Sequence, residues 1–381
     1  MLIDSAKDLG WAPSNYFSSL QAWLDSGEQL LFLTPGVHDV PAGLTCATPN
    51  VRITGPGVLR ATTAEVDVLT LTGDDQTVDG LRIDGNMLGR YGVHATGARS
   101  SISDCRIWDL KSLTGSPRGI YTSNPGGTTI RRNRITNIHG PGNTTQGDSN
   151  GMVRGIVAHS PTATTGPSII EGNVIDGLNG EETDGIAILY SDTVTDPYLS
   201  GYTLISGNQI RNAGRRYIKL QGSDIVVDRN WCWSTPDYAP VNPSAVIDIV
   251  QGQRIQITNN RLEERGQTAP ILITGPSATT TIDDVTVRGN WMRETEGTSP
   301  VLYAVYATNL VIDSNTMIGG QFYVSAASVT NITVTNNVCR DGSGATAFNF
   351  TASVTGKAND NNVPANKRAL TGTNVSFERN A

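Results

Sequence analysis

Charge is scarce in this chain of 381 residues: only 17% are Asp, Glu, Lys or Arg, and the formal balance is −7. A non-specific nucleic-acid binder needs a basic face, so that class is excluded. No apolar run is long enough to cross a bilayer as a helix, so no membrane partner is expected. The four cysteines, Cys46, Cys105, Cys232 and Cys339, lie far apart with no CxxC pair, which points to neither disulfides nor a thiolate metal centre. Histidine is equally thin: His38, His94 and His139 form no triad that spacing reveals, and "HGPG" at 139–142 reads as a turn. No glycine-rich phosphate cradle leads from a strand into a helix. The opening "MLIDSAKDLGWAPSN" lacks the charged-then-apolar layout of a secretory signal.

What the chain does have is glycine (41 residues), β-branched residues and a repeat. "TIRRNRITNI" at 129–138 returns as "IIEGNVIDGL", "LISGNQIRNA", "IVVDRNWCWS", "IQITNNRLEE", "VTVRGNWMRE", "LVIDSNTMIG" and "ITVTNNVCRD". Each carries alternating aliphatic residues, an Asn, and an apolar residue two positions later. The asparagines are Asn133, Asn173, Asn208, Asn230, Asn260, Asn290, Asn315 and Asn337, separated by 40, 35, 22, 30, 30, 25 and 22 residues. Upstream, Cys105, Leu81 and Gly57 fill the same slot. A floor of 22 with variable excess describes a constant unit carrying insertions, the signature of a repeat architecture.

Each unit holds three short apolar strands and no helical period. The expected fold is all-β: a single right-handed parallel β-helix with three strands per coil and about ten coils. Asparagine suits the bend because it tolerates the left-handed backbone region, and stacked asparagines can form a hydrogen-bonded ladder. Residues 1–30 are expected to supply a cap, with Tyr16, Phe17, Leu20, Trp23 and Leu24 on one helical face and Gly27 as its stop. The β-helix proper is expected over 31–351, and a polar closing segment over 352–381.

The capping helix, "LTPGVHDV", "VRITGPG" and the N-x-I coils resemble the right-handed β-helices of the pectate-lyase superfamily, most of all phage tailspike polysaccharide depolymerases. The resemblance spans nearly the whole chain and rests on scaffold motifs. It implies a polysaccharide substrate, a homotrimer, and a place on the virion tail acting outside the cell, or secretion if the protein is not viral. It also implies that the strand after each variable loop forms the saccharide-binding face. "ETDGIAI" resembles the "NTDGI" strand of polygalacturonase-type hydrolases, which maps Asp184 onto a catalytic carboxylate. "RYIK" resembles their Arg-Ile-Lys element, carried by Arg216 and Lys219. Their paired Asp-Asp and Gly-His-Gly motifs are absent here, as are the "DPHE" of alginate epimerases and the "RxPxxR" of pectate lyases.

Loop length locates a site. The gap from the Asn slot to the inward apolar residue of the next strand jumps to 23 between Asn133 and Ile156, falls to 13 and 10, and rises to 17 between Asn230 and Ile247. Two long walls, 139–152 and 234–244, are thus expected to flank a groove. Its floor presents His94, Tyr121, Val157, Ala187, Lys219 and Asp248 outward, with Arg118, Arg154, Asp184 and Arg216 in a second column. Those charges argue against an interior position.

Two chemistries fit such a floor. Glycoside hydrolysis needs two carboxyl groups about 5–9.5 Å apart, which Asp184 with Glu181 or Glu182 would provide. Asp148 and Asp237 hang from the walls, and Asp248 is a further floor carboxylate, roughly 14 Å from Asp184 on strand geometry. Elimination from a uronate instead needs a cation and a base, drawn from Arg154, Arg216, Lys219 and Tyr121. The leading expectation is endo-hydrolysis of a capsular or exopolysaccharide with no cofactor. The alternatives are a polysaccharide lyase, or a glycan-binding or structural spike without catalysis. Arg154, Arg216, Lys219, Tyr121, His159, Trp233 and Tyr238 are the expected substrate contacts.

Overall fold

The computed structural model describes all residues except 1, 125, 141–151, 163–164, 191–200, 239–241, 267–268, 368, 372–373 and 379–381. Two compact units divide it, residues 1–187 and 188–381. Both are right-handed parallel β-helix, as the repeat predicts.

In the first unit each coil lays one strand on each of three faces. The first face stacks Arg52–Thr54, Thr77–Asp79, Ser100–Ser103, Thr128–Arg131 and Ser168–Glu171 in parallel register. The second, entered after each Asn slot, stacks Val58–Ala61, Arg82–Asp84, Arg106–Lys111, Arg134–His139 and Val174–Asn179. The third stacks Val66–Leu71, Gly89–Ala95, Arg118–Thr122 and Met152–His159, and Glu182–Leu189 pairs with the last of these. Alternation points one apolar column inward from each face. Leu69, Val93, Ile120 and Ile156 sit directly above one another and are buried.

The second unit repeats the plan. Ile218, Ile247, Ile271, Leu302, Val324 and Phe348 form its corresponding column. In two of its later coils two faces fuse into the 12-residue strands Leu302–Asp313 and Val324–Thr335. These bend through residues of positive φ, Tyr306 and Asn309 in one and Ser328 and Asn331 in the other.

The asparagine ladder exists within each unit. Asn133 donates its backbone N–H and its side-chain N–H to Asn173 Oδ1 (2.9 and 3.0 Å), and Asn133 Oδ1 accepts from the Cys105 N–H at 3.0 Å. From Asn208 to Asn337 the same bonds recur, and Asn361 extends the series. The left-handed residue, however, is the one before: Arg132, Arg229, Asn259, Ser314, Asn336 and Asp360 have φ near +55°, whereas the ladder asparagines do not have positive φ. The side chain, not backbone tolerance, is why Asn is required.

The ends differ from expectation. The capping helix is only Leu20–Leu24, N-capped by Ser19 accepting from Ala22 N–H at 3.1 Å. Trp23 and Leu24 are buried but Tyr16 lies outside the helix and is exposed, so the single helical face spanning 16–24 is not formed. A second helix, Leu2–Asp8, precedes it. Beyond residue 351 the coils continue: Gly356–Asn359 pairs with Val324–Thr335 and then with Val375–Glu378. All four cysteines are unbridged and buried.

Candidate functional site

The third face of the first unit carries the densest chemistry. Four of its strands carry a glycine directly before the inward apolar residue: Gly92, Gly119, Gly155 and Gly185. A Cβ on Gly119 would lie 2.5 Å from Ile135 Cγ2, and on Gly155 it would lie 2.7 Å from Ile175 Cγ2. These glycines therefore fill the interior beside the second face. Two residues before the inward apolar residue runs a separate column: Asp67, Tyr91, Arg118 and Arg154 are register partners.

Next to that column stands Thr70–His94–Tyr121–Val157. The two columns interlock as rings and cations. His94 and Tyr121 stack at 4.7 Å with planes 10° apart, and Tyr91 meets both edge-on at 5.4 and 5.6 Å. Arg118 lies 3.9 Å over the Tyr121 ring and 5.2 Å from that of Tyr91, and Arg90 lies 4.5 Å over Tyr91. Tyr121 also contacts His159 at 5.9 Å. Arg90 grips Asp67 with two bonds of 2.9 and 3.0 Å. Burial pushes the Asp67 carboxyl upward, but hydrogen bonds from His94 and Arg90 outweigh it and hold the group below its ordinary value. The Arg118 Nε is buried with no hydrogen-bond partner among the described residues.

One coil further, Arg154 Nε donates to Asp184 Oδ2 at 3.1 Å, with side chains 6% and 1% exposed. The expectation that charge keeps this column open to solvent is corrected for Arg154, Asp184 and Arg216, which are buried, whereas Arg118 is half-buried; pairing is what makes the burial tolerable. Val157 and Ala187, expected on an open floor, are likewise buried. Glu182 is buried beside Asp184, and Glu181 keeps its Oε2 buried with no hydrogen-bond partner among the described residues. The wall at 139–152 falls outside the described residues from 141 to 151, including Asp148.

In the second unit Arg216 and Asp248 form a comparable buried pair, 3.6 Å apart. Lys219 is the register partner of Asp248 and is partly exposed. Trp233 stacks on Trp231 at 4.2 Å, and Tyr238 sits on a turn closed by its N–H to Thr235 carbonyl at 3.1 Å. Arg261 lies between Trp231 and Trp291, 5.1 and 4.9 Å from their rings. Asp237, on the same wall, is exposed, and residues 239–241 of that wall are outside the described set.

Sequence reasoning named Tyr121, His159, Arg154 and Asp184 as candidates but did not single out Asp67 and Tyr91, which the structure brings against His94 and Tyr121. The signal was present. Extending the column alignment back to "VDVLTL" puts Asp67 two residues before Leu69, the same step as Arg118 before Ile120.

Residues 118–297 match the family described as a right-handed β-helix region. No curated protein matches in sequence. Among solved structures, the chain resembles the tailspike protein of E. coli bacteriophage HK620, solved with a pentasaccharide, at TM-score 0.65 and 16% identity, covering 99% of this chain and 73% of that one. It resembles the pre-mature gene product 12 of bacteriophage phi29 at TM-score 0.66 and 13% identity, covering 97% of this chain but only 54% of the phage protein. The A-module of the Azotobacter vinelandii mannuronan C-5 epimerase AlgE4 follows at TM-score 0.52 and 13% identity, covering 95% of this chain and 100% of that one. At these identities the likeness establishes the backbone fold, that of phage tailspikes and other right-handed β-helix proteins.

Proposed function

We propose that this protein acts on an anionic polysaccharide laid along the third face of the first unit. The observation that carries the proposal is the cluster of rings and cations made by Arg90, Tyr91, Arg118, Tyr121 and His159, with Arg154, the register partner of Arg118, paired to Asp184 one coil further. Sugar rings stack through their C–H faces on aromatic groups, and guanidinium groups recognise carboxylate substituents. The pentasaccharide-bound tailspike and the mannuronan epimerase among the similar structures support a carbohydrate substrate.

Within that reading we favour internal hydrolysis. Asp184, ion-paired with Arg154, takes the part of base or nucleophile. Glu181, whose buried Oε2 has no hydrogen-bond partner among the described residues, is assigned as the proton donor, with Glu182 next to it in the chain. The second unit, taken by itself, holds Asp248 by Arg216 as Asp184 is held by Arg154, and we propose Lys219, Trp233 and Tyr238 as sugar contacts of that unit. Elimination is the second reading, favoured by the Arg118 guanidinium over the Tyr121 ring, which pairs a uronate-neutralising cation with a phenol base. We further propose that the protein works as a homotrimer on a virion tail, which sedimentation at three times 40.5 kDa would support and a monomer mass would refute.

The deciding experiment is incubation with purified anionic capsular and exopolysaccharides. New reducing ends without unsaturated uronate mean hydrolysis, and the ultraviolet absorbance of an unsaturated uronate means elimination. Tight binding with neither product leaves a non-catalytic glycan-binding spike. Asp184→Asn, which keeps shape and removes charge, should abolish hydrolysis; full activity in that variant removes Asp184 from the chemistry.

A further inference from the structure

Three polar side chains on successive coils of the first unit form a relay that the depolymerisation scheme does not use. His94 Nδ1 lies 3.4 Å from Asp67 Oδ2, and on the opposite edge of the ring Nε2 lies 3.3 Å from Ser123 Oγ. Asp67 is itself fixed by the two-bond grip of Arg90, and the Tyr121 ring lies parallel to the imidazole at 4.7 Å. The ring is thereby held in plane. With the carboxylate facing Nδ1, the favoured tautomer carries its proton there and leaves the Nε2 lone pair for the serine hydroxyl. His94 and Asp67 side chains are 18% and 17% exposed, and Ser123 is half-buried, so an ester on a bound chain reaches them from solvent.

We infer that Asp67, His94 and Ser123 constitute a serine acyl-hydrolase site that removes O-acyl esters. Ser123 Oγ attacks the ester carbonyl while its proton passes to His94 Nε2. The acyl–serine bond forms, the C–O bond to the sugar breaks, and the leaving alkoxide takes the proton from His94. Water, deprotonated by the same nitrogen, then releases the carboxylic acid and restores the serine. Asp67 orients the imidazole and stabilises its charged form. That the ester sits on a polysaccharide rests on the function proposed above; the ester chemistry itself does not.

The test separates the two. The protein is assayed with 4-nitrophenyl acetate and treated with diisopropyl fluorophosphate, followed by peptide mapping. The expected result is an adduct on Ser123 and a fall of about a hundredfold in ester hydrolysis in Ser123→Ala and in His94→Gln. Far-UV circular dichroism confirms that the variants fold. Polysaccharide chain cleavage should survive Ser123→Ala. An adduct on Ser123 without any polysaccharide cleavage would keep the esterase and remove the depolymerase. Absence of the adduct, or an unchanged ester rate in Ser123→Ala, overturns the inference.

Discussion

At each Asn slot two neighbouring residues divide the work. In the second unit Asn260 accepts from the Asn230 N–H and side-chain N–H at 2.8 and 2.9 Å, and donates to Val227 carbonyl and Asn290 Oδ1 at 2.9 Å each. All of this is buried, so Asn260→Ala strands donors and acceptors on two coils at once. The variant should lose about 2–4 kcal/mol, read as a lower urea midpoint. The residue before the ladder Asn carries the strain instead. Arg229 has φ +54°, and its ion pair with Asp228 involves a side chain 70% exposed, worth little. Arg229→Gly should therefore be neutral or stabilising by up to about 1 kcal/mol, while Asn230→Gly should destabilise. The sequence shows where the bend lies but not which residue bends, because Asn is common both in left-handed positions and in ladders. The relay was hidden for a related reason: Asp67, His94 and Ser123 share no motif, and only coil stacking brings them together.

Strands were the most legible elements, since alternation and the Asn slot together fix both face and register. Less legible was why a glycine so often precedes the inward residue of the third face. Gly119 abuts Ile135, and its Cβ would also meet Gly155 carbonyl oxygen at 2.6 Å. Gly119→Ala is therefore overpacking, and should cost about 1–3 kcal/mol of stability. Chemical denaturation would check it; a neutral result would mean that Ile135 and the Gly155 carbonyl give way freely. The second unit meets the corresponding step with Tyr217 and Val246, both buried, so glycine is a local solution rather than a rule of the coil. Cysteines on the strands behave as small apolar residues. Burial pushes the Cys105 and Cys339 thiols up to about 12, so neither should react with a thiol reagent at pH 8 until the protein is unfolded. The groove was read from loop lengths, which show where insertions fall but not which floor side chains stay open: Val157 and Ala187 are buried.

Across the whole molecule, charge is arranged as Asp–Arg rungs, and acid should undo it. In the first unit Asp67 sits below its ordinary value, where burial alone would raise it, because His94 and Arg90 hydrogen-bond the carboxylate. In the second unit Asp313 is likewise depressed: burial again opposes, and Asn336, Thr335, Ser314 and Arg288 together prevail. A carboxyl whose folded pKa lies below the unfolded value of about 3.9 binds fewer protons when folded. Its contribution is complete above that unfolded value and is lost as pH falls through the lower folded value. Urea midpoints should therefore be nearly level from pH 7 to about 5 as far as these groups are concerned, then fall steeply below about 4. Asp67→Asn and Asp313→Asn should each lower the midpoint at neutral pH and flatten the acid limb. Exposed pairs such as Arg99 with Asp75 would be screened by salt. Repeating the titration at 1 M sodium chloride thus separates the two sets: an acid limb that vanishes in salt would assign the loss to exposed rungs, and one that persists assigns it to Asp67 and Asp313.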